Sequence, residues 1–333
     1  MEPQQHGTNF AADRLVKQWL IYGADPVRNL LPIPASRLSP SQFQQLIEEA
    51  EAHGVLPAVV KNLSELIDGS EYASAHADAA ARQRMSLCYS VMLRHYSEAI
   101  RKAAAGLSAT IVKGPSFARL LYSDSRLRPF TDIDLLVTPA AVPVISRILK
   151  EHGFVFRDDE YNPERHEAKW VHKDSPLLMV EVHTNLVHQP RLRTSLSLTY
   201  DDIADAPESP AALLAIATLH GALHRFERIR QVVDICQAAR AMGSAQDEAQ
   251  FEKLLNRTGG RFAAIAGLDL AYRLFREPRC RELAIRLGSL RHRVLTRTLI
   301  DHSAVTSTMN RSRFFHSWRR QLFRLLLQRS DLL

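Results

Sequence analysis

The chain has 333 residues, 46% hydrophobic and 24% charged, which is the composition of a globular protein long enough for one large core or two modest ones. That excludes a disordered chain, a fibrous repeat and a disulfide-rich miniprotein, and the longest apolar runs are too short to cross a bilayer. Lys and Arg number 43 against 36 Asp and Glu, a formal charge of +7, which suits a phosphate-bearing ligand without establishing one.

The first residues are polar and show no basic stretch leading into an apolar one, so no secretory signal is read. Cys88, Cys236 and Cys280 are far apart in sequence and lack any CxxC or zinc spacing. They read as inert thiols in a reducing, cytoplasmic setting.

Residues 1–106 read as a helical region. Leu15, Trp19 and Tyr22 give residues 10–22 a helical period, and Pro26, Pro32, Pro34 and Pro40 mark a link. Ser39 or Ser41 caps a second helix that Gly54 ends, and residues 73–105 form a long stretch free of Gly and Pro. The character changes for residues 107–205. A short strand at 108–114 ends in a Gly turn, a helix follows from Pro115, and 131–138 is a β-branched and apolar strand. An amphipathic helix closes at Gly153, and a hairpin about residues 173–176 joins two further strands. From Ser209 the pattern is helical again through residues 206–333, with 211–240 reading as one helix. The fold class is α+β, a small mixed sheet flanked by N-terminal and C-terminal helical regions.

Three features carry candidate chemistry. Asp132 and Asp134 stand two apart in a strand and so share a face. Two adjacent carboxylates resist joint ionisation, a cost that a divalent cation with oxygen ligands, such as Mg²⁺, would offset; the plainer alternative is two solvated acids at a strand entrance. Glu181 sits within a run of Leu, Met and Val, where an unpaired acid is expensive to bury. It either completes a three-carboxylate cluster, with His183 on the same face, or lies exposed with Lys169 or Lys173 as partner. Lys113, Gly114 and Ser116 form a strand-to-helix turn suited to an anion.

Taken in order, these residues resemble a known family. Lys113-Gly114, Tyr122, Arg128 and Asp132-x-Asp134 before Leu-Leu-Val are similar to the uncharacterised nucleotidyltransferase family of the DNA-polymerase-β-like superfamily. The later Val-Glu-Val-His at 180–183 resembles the strand that supplies a third acid. The resemblance covers roughly residues 40–240 and is sharpest at 111–137 and 178–185. It implies two Mg²⁺ ions on Asp132, Asp134 and Glu181, an NTP as donor, and in-line attack by an acceptor hydroxyl on the α-phosphorus, with transfer of a nucleoside monophosphate such as AMP. Gly114 and Ser116 would hold the β- and γ-phosphates, with Lys113 and Arg128 as cations. Pro115 departs from the Gly-Gly or Gly-Ser of classical superfamily members and removes one backbone donor.

On the helix read at 211–240, His220, His224 and Asp234 fall near one face with Arg230 on the flank. In this superfamily the following helices often close over the nucleotide, so these residues are candidates to touch base, ribose or acceptor; structural hydrogen bonds between helices are the alternative. Residues 311–329 read as a basic amphipathic helix. Packing of its apolar face on its own domain is favoured over contact with a membrane surface or RNA. No RNA-binding motif is recognisable, and nucleic acid is not expected as a partner. The rival to catalysis is a non-catalytic nucleotide-binding module. The acceptor, whether small molecule, peptide or protein, is not legible.

Overall fold

The structure is a computed structural model that describes residues 5–27, 30–157, 166–301, 305–306 and 317–328. Helices α1 (Gln5–Ala24), α2 (Pro40–Ala52), α3 (Leu56–Leu63) and α4 (Ala73–Ala103) come first. Ser39, not Ser41, is the cap of α2. It accepts from the Gln42 amide while the Gln42 side chain accepts from the Ser39 amide, so two unpaired helix-end donors are satisfied reciprocally.

The middle of the chain builds one five-stranded mixed sheet. Its strands are β1 (Ala109–Val112), β2 (Ile133–Val137), β3 (Phe154–Phe156), β4 (Glu167–His172) and β5 (Ser175–His183), in the order β1-β2-β5-β4-β3. Only β2 and β5 run parallel; the other pairings are antiparallel. Helix α5 (Gly114–Leu120) follows β1, and α6 (Val142–Glu151) follows β2. The β4–β5 hairpin is the one read from sequence, whereas β3 has no counterpart there.

Alternation along the strands separates two kinds of burial. Ile133, Leu135, Val137, Val180 and Val182 turn toward α4 and α6 and pack with Leu93, Ile100, Ile145 and Leu149. The opposite face of β2 and β5 carries Asp134, Leu136, Glu181 and His183. Leu136 there joins a larger core shared by the N-terminal helices, through Val16, Trp19, Leu46 and Val59, and by the C-terminal helices.

Those helices are α7 (Tyr200–Ile203), α8 (Pro210–Leu223), α9 (Ile229–Ala241), α10 (Ala245–Thr258), α11 (Arg261–Phe275), α12 (Pro278–Leu287), α13 (Leu290–Leu299) and α14 (Ser317–Gln328). The single helix expected over 211–240 is thus two. Arg225 and Phe226 both take positive φ, 56° and 54°, which breaks the helical path. Phe226 is fully buried, and a Cβ on Gly221 would stand 2.7 Å from its ring. The Phe226 ring therefore anchors the break, and glycine at 221 makes room for it.

Of the C-terminal segment, α14 buries Phe323 and Leu327 in the large core, and Phe323 meets the rings of Phe226 and Phe262. Arg319 pairs with Asp301, while Trp318 and Leu325 stay exposed. Residues 311–316 and Arg329 lie outside the described residues. All three cysteines are free. Cys236 and Cys280 are buried near each other despite their separation in sequence, and Cys88 is exposed. Among the described residues no helix is long and apolar enough to cross a membrane.

Candidate active site

Strand register brings the acids together. Asp134 lies directly beside Glu181 across the parallel β2–β5 pair, and His183 beside Leu136. On the other side of β5, β4 places Glu167 opposite His183 and Lys169 opposite Glu181. Asp132 stands half-buried just before β2. Asp134 is 3% exposed. Its Oδ1 receives Lys113 Nζ at 2.6 Å and lies 3.0 Å from His183 Nε2, which is itself 3.6 Å from Glu181 Oε2.

The turn after β1 delivers that lysine. Lys113 has φ 53° and ψ −138°, a conformation ordinarily left to glycine. Gly114 follows because the backbones pass closely there: a Cβ at 114 would stand 2.9 Å from the Asp132 carbonyl oxygen. Gly114→Ala is therefore expected to cost about 1–3 kcal/mol, as overpacking does. The check is a lowered denaturant midpoint with an unchanged slope.

The charges do not balance evenly. Burial opposes ionisation of Asp134, but the Lys113 ammonium and the His183 hydrogen bond hold its carboxyl far below the usual range. Glu181 has less help: the Lys113 charge lowers it, but by less than burial or the neighbouring acids raise it. Burial, then Asp134, Glu167 and Asp132, push it up to about 8. Burial and the Asp134 charge likewise raise Asp132. Asp134, Glu181 and His183 offer ligand atoms all within 4.8 Å of one another. Acids that repel each other at this spacing fit a hard divalent cation; Asp132, half-buried just before β2, is not among these atoms.

Arg128 and Asp234 are both buried. They are 4% and 2% exposed and form a two-pronged pair, Nε to Oδ1 at 2.9 Å and Nη2 to Oδ2 at 2.8 Å. Tyr122 donates to the same Asp234 at 2.7 Å, and Arg128 Nη1 donates to the Gly114 carbonyl at 3.2 Å. The network ties α9 to the Lys-Gly turn. Ser116 is buried too, but it lines a separate groove of about 600 Å³ with Arg94, Arg119 and Leu135.

Histidines cover the other side. The rings of His220 and His224 lie 4.6 Å apart, those of His183 and His188 4.9 Å apart. Lys113, His188, His220 and His224 line a cavity of about 10 Å³. Burial and the Lys113 charge lower His220 and His224, and burial with the His183 and Lys113 charges lowers His188 to about 3. His220 and His224 thus reach the cluster from the end of α8, while Asp234 belongs to a different helix. The sequence reading did not single out Glu167 or His188. The signal for Glu167 was its place in a strand read as the hairpin partner of the Glu181 strand. Arg230, whose Nη1 donates to the Pro129 carbonyl at 3.0 Å, adds a cation facing Asp132.

Fold and site define an α+β protein in which a mixed sheet and a helical layer enclose a carboxylate–histidine cluster beside a Lys-Gly turn. The chain belongs to the uncharacterised nucleotidyltransferase family, whose model matches residues 39–276, from the cap of α2 to just past α11. Comparison with curated proteins and with solved structures gave no match.

Proposed function

We propose that the chain is a Mg²⁺-dependent nucleotidyltransferase that moves a nucleoside monophosphate from an NTP to an acceptor hydroxyl, with pyrophosphate as the leaving group and the hydroxyl proton released. The observation that carries this reading is the pairing of Asp134 with Glu181 across β2 and β5, two residues beyond Asp132, in a chain of this family. Asp132, Asp134 and Glu181 would hold the cation. Bound there, Mg²⁺ supplies charge neutralisation to the phosphates and lowers the pKa of the attacking hydroxyl.

The chain's own residues supply position and charge. Lys113 neutralises Asp134 in the ligand-free site and is the cation nearest in sequence to the turn that a triphosphate would meet. With Asp134 among the residues that would hold the cation, the Lys113 ammonium would be free to pair with a phosphate. Glu181 would release its proton on the same exchange. Arg128, held by Asp234, grips the Gly114 carbonyl and so fixes the turn; we assign both a positioning role, not ligand contact. His220 and His224, which share a small cavity with Lys113, would be the candidates to meet acceptor or nucleoside.

Calorimetry of NTP binding, with ATP first, tests this with and without Mg²⁺. Wild type is expected to bind in a Mg²⁺-dependent manner, and an Asp132→Asn/Asp134→Asn variant of unchanged fold to lose that binding. Equal binding by the double variant would overturn the assignment of the acids. Mg²⁺-dependent binding without transfer to any acceptor class would favour the rival, a nucleotide-binding module in which Pro115 has weakened the turn.

A further inference from the structure

The histidines and the acid of β4 form a second constellation. Glu167, His183 and His188 each offer one ligand atom, and these atoms all lie within 4.8 Å of one another. His188 Nδ1 is 3.2 Å from Glu167 Oε2. That contact fails as a hydrogen bond, since the buried Nδ1 of His188 has no hydrogen-bond partner. The spacing has another meaning. Two ligands at the usual 2.0–2.1 Å from a tetrahedral zinc stand roughly 3.3 Å apart.

A separate observation comes from His183. Its side chain is fully buried, and its Nε2 lies 3.0 Å from Asp134 Oδ1. Its other nitrogen, Nδ1, is buried and has no hydrogen-bond partner. In the tautomer that donates from Nε2, Nδ1 carries no proton and its lone pair is free to coordinate; a metal on Nδ1 selects that tautomer over the imidazolium. A carboxylate that orients a histidine through one nitrogen while the other binds metal is the usual outer-shell arrangement of zinc sites. Lys113 and Lys169 stand near, each against a carboxylate: Lys113 on Asp134, and Lys169 3.9 Å from Glu167 Oε1.

We propose that Glu167, His183 and His188 form a second metal centre, suited to a borderline transition ion such as Zn²⁺, with a position left for water or a substrate atom. Two imidazoles and one carboxylate are the donor set of open zinc sites, whereas Mg²⁺ prefers oxygen alone. The inference is independent of the transfer reading, because none of Asp132, Asp134 and Glu181 is a ligand here. Its consequence is that Asp134 touches both centres, as a ligand of one and as the orienting partner of His183 in the other.

Co²⁺ titrated into chelator-stripped, full-length protein tests it by the visible d–d bands of a four-coordinate site. Wild type is expected to develop these bands, to lose them to Zn²⁺ and to keep them in excess Mg²⁺. Glu167→Gln and His188→Asn are each expected to weaken Co²⁺ binding by at least the roughly 10–100-fold that loss of an outer-shell partner costs. Metal-free circular dichroism melting of each variant checks the fold, and Glu167→Gln, nearly isosteric, serves if His188→Asn does not fold. Absence of Co²⁺ and Zn²⁺ binding in wild type would overturn the proposal. So would bands of undiminished affinity in the variants, which would put the ion on the three acids.

Discussion

Asp234→Ala is expected to destabilise the folded chain by about 3–5 kcal/mol in the absence of any ligand, the usual cost of stripping one partner from a buried ion pair. Arg128 is 4% exposed, so its guanidinium would be left buried opposite an empty space. Tyr122 would lose its acceptor as well. Arg128→Lys should recover little of what Arg128→Ala loses, because an ammonium cannot make the two-pronged contact to both Asp234 oxygens and still reach the Gly114 carbonyl. Removing both charges together is different. An Arg128→Met/Asp234→Leu pair should regain most of the stability, since well-packed apolar substitutes are often neutral or better. It should not regain ligand binding, because nothing would then hold the Gly114 carbonyl and the turn that carries Lys113. Urea unfolding of the single and double variants reads the first outcome and NTP calorimetry the second. An Asp234→Ala protein as stable as wild type would remove the network as a structural tie. A double variant that binds NTP normally would remove its positioning role.

That network also marks the limit of what the sequence disclosed. The acids were legible because local rules expose them. Asp132 and Asp134 stand two apart at the start of a β-branched and apolar run, although only Asp134 lies within β2, and Glu181 is a carboxylate in another such run. The Lys-Gly turn was legible because Gly114 follows a β-branched strand. The pairing of Arg128 with Asp234 spans 106 positions, and no local pattern encodes it. Arg128 therefore read as a phosphate contact, and Asp234 as either a ligand contact or a structural hydrogen bond between helices; the structure pairs them with each other. Asp234 was further misplaced by a helix drawn through Arg225 and Phe226. Nothing in the residue types announces two consecutive positive φ values there. The cause is tertiary, the docking of the Phe226 ring against Gly221 and Gly267. Glu167 and His188 stayed hidden for a similar reason. Their value depends on β4 lying beside β5 in one register, and a hairpin predicted from turn residues fixes the neighbours but not the facing pairs.

Without a divalent cation, the stability of the chain is expected to peak near neutral pH and to fall between about pH 6.5 and 8 through one group, Glu181. Its carboxyl is raised from 4.5 to about 8 by burial and by Asp134, Glu167 and Asp132. Across that window the folded chain keeps a proton that the unfolded chain has released. Stability then declines as pH rises, by up to about 1.4 kcal/mol per pH unit. Below the window other groups dominate with the opposite sign. His188 is lowered to about 3 and His53 to about 4, each first by burial, and His220 and His224 are lowered likewise. The unfolded chain protonates these histidines beneath 6.5 while the folded chain resists, so stability climbs with pH up to that value. Asp134, depressed by Lys113 and His183 against the pull of burial, adds stability that is present above the ordinary Asp range and lost under acid. Hence Glu181→Gln should flatten the alkaline limb and leave the acid limb intact. Saturating Mg²⁺ should do the same in wild type, because a cation on the acids favours the ionised carboxyl, and should take up no further slope in the Gln variant. Thermal melting across pH 5–9 for both proteins, with and without Mg²⁺, separates these outcomes. A wild-type profile level from 6.5 to 8 would mean that Glu181 is already ionised in the folded chain, and that the acids are balanced by Lys113 without need of a cation.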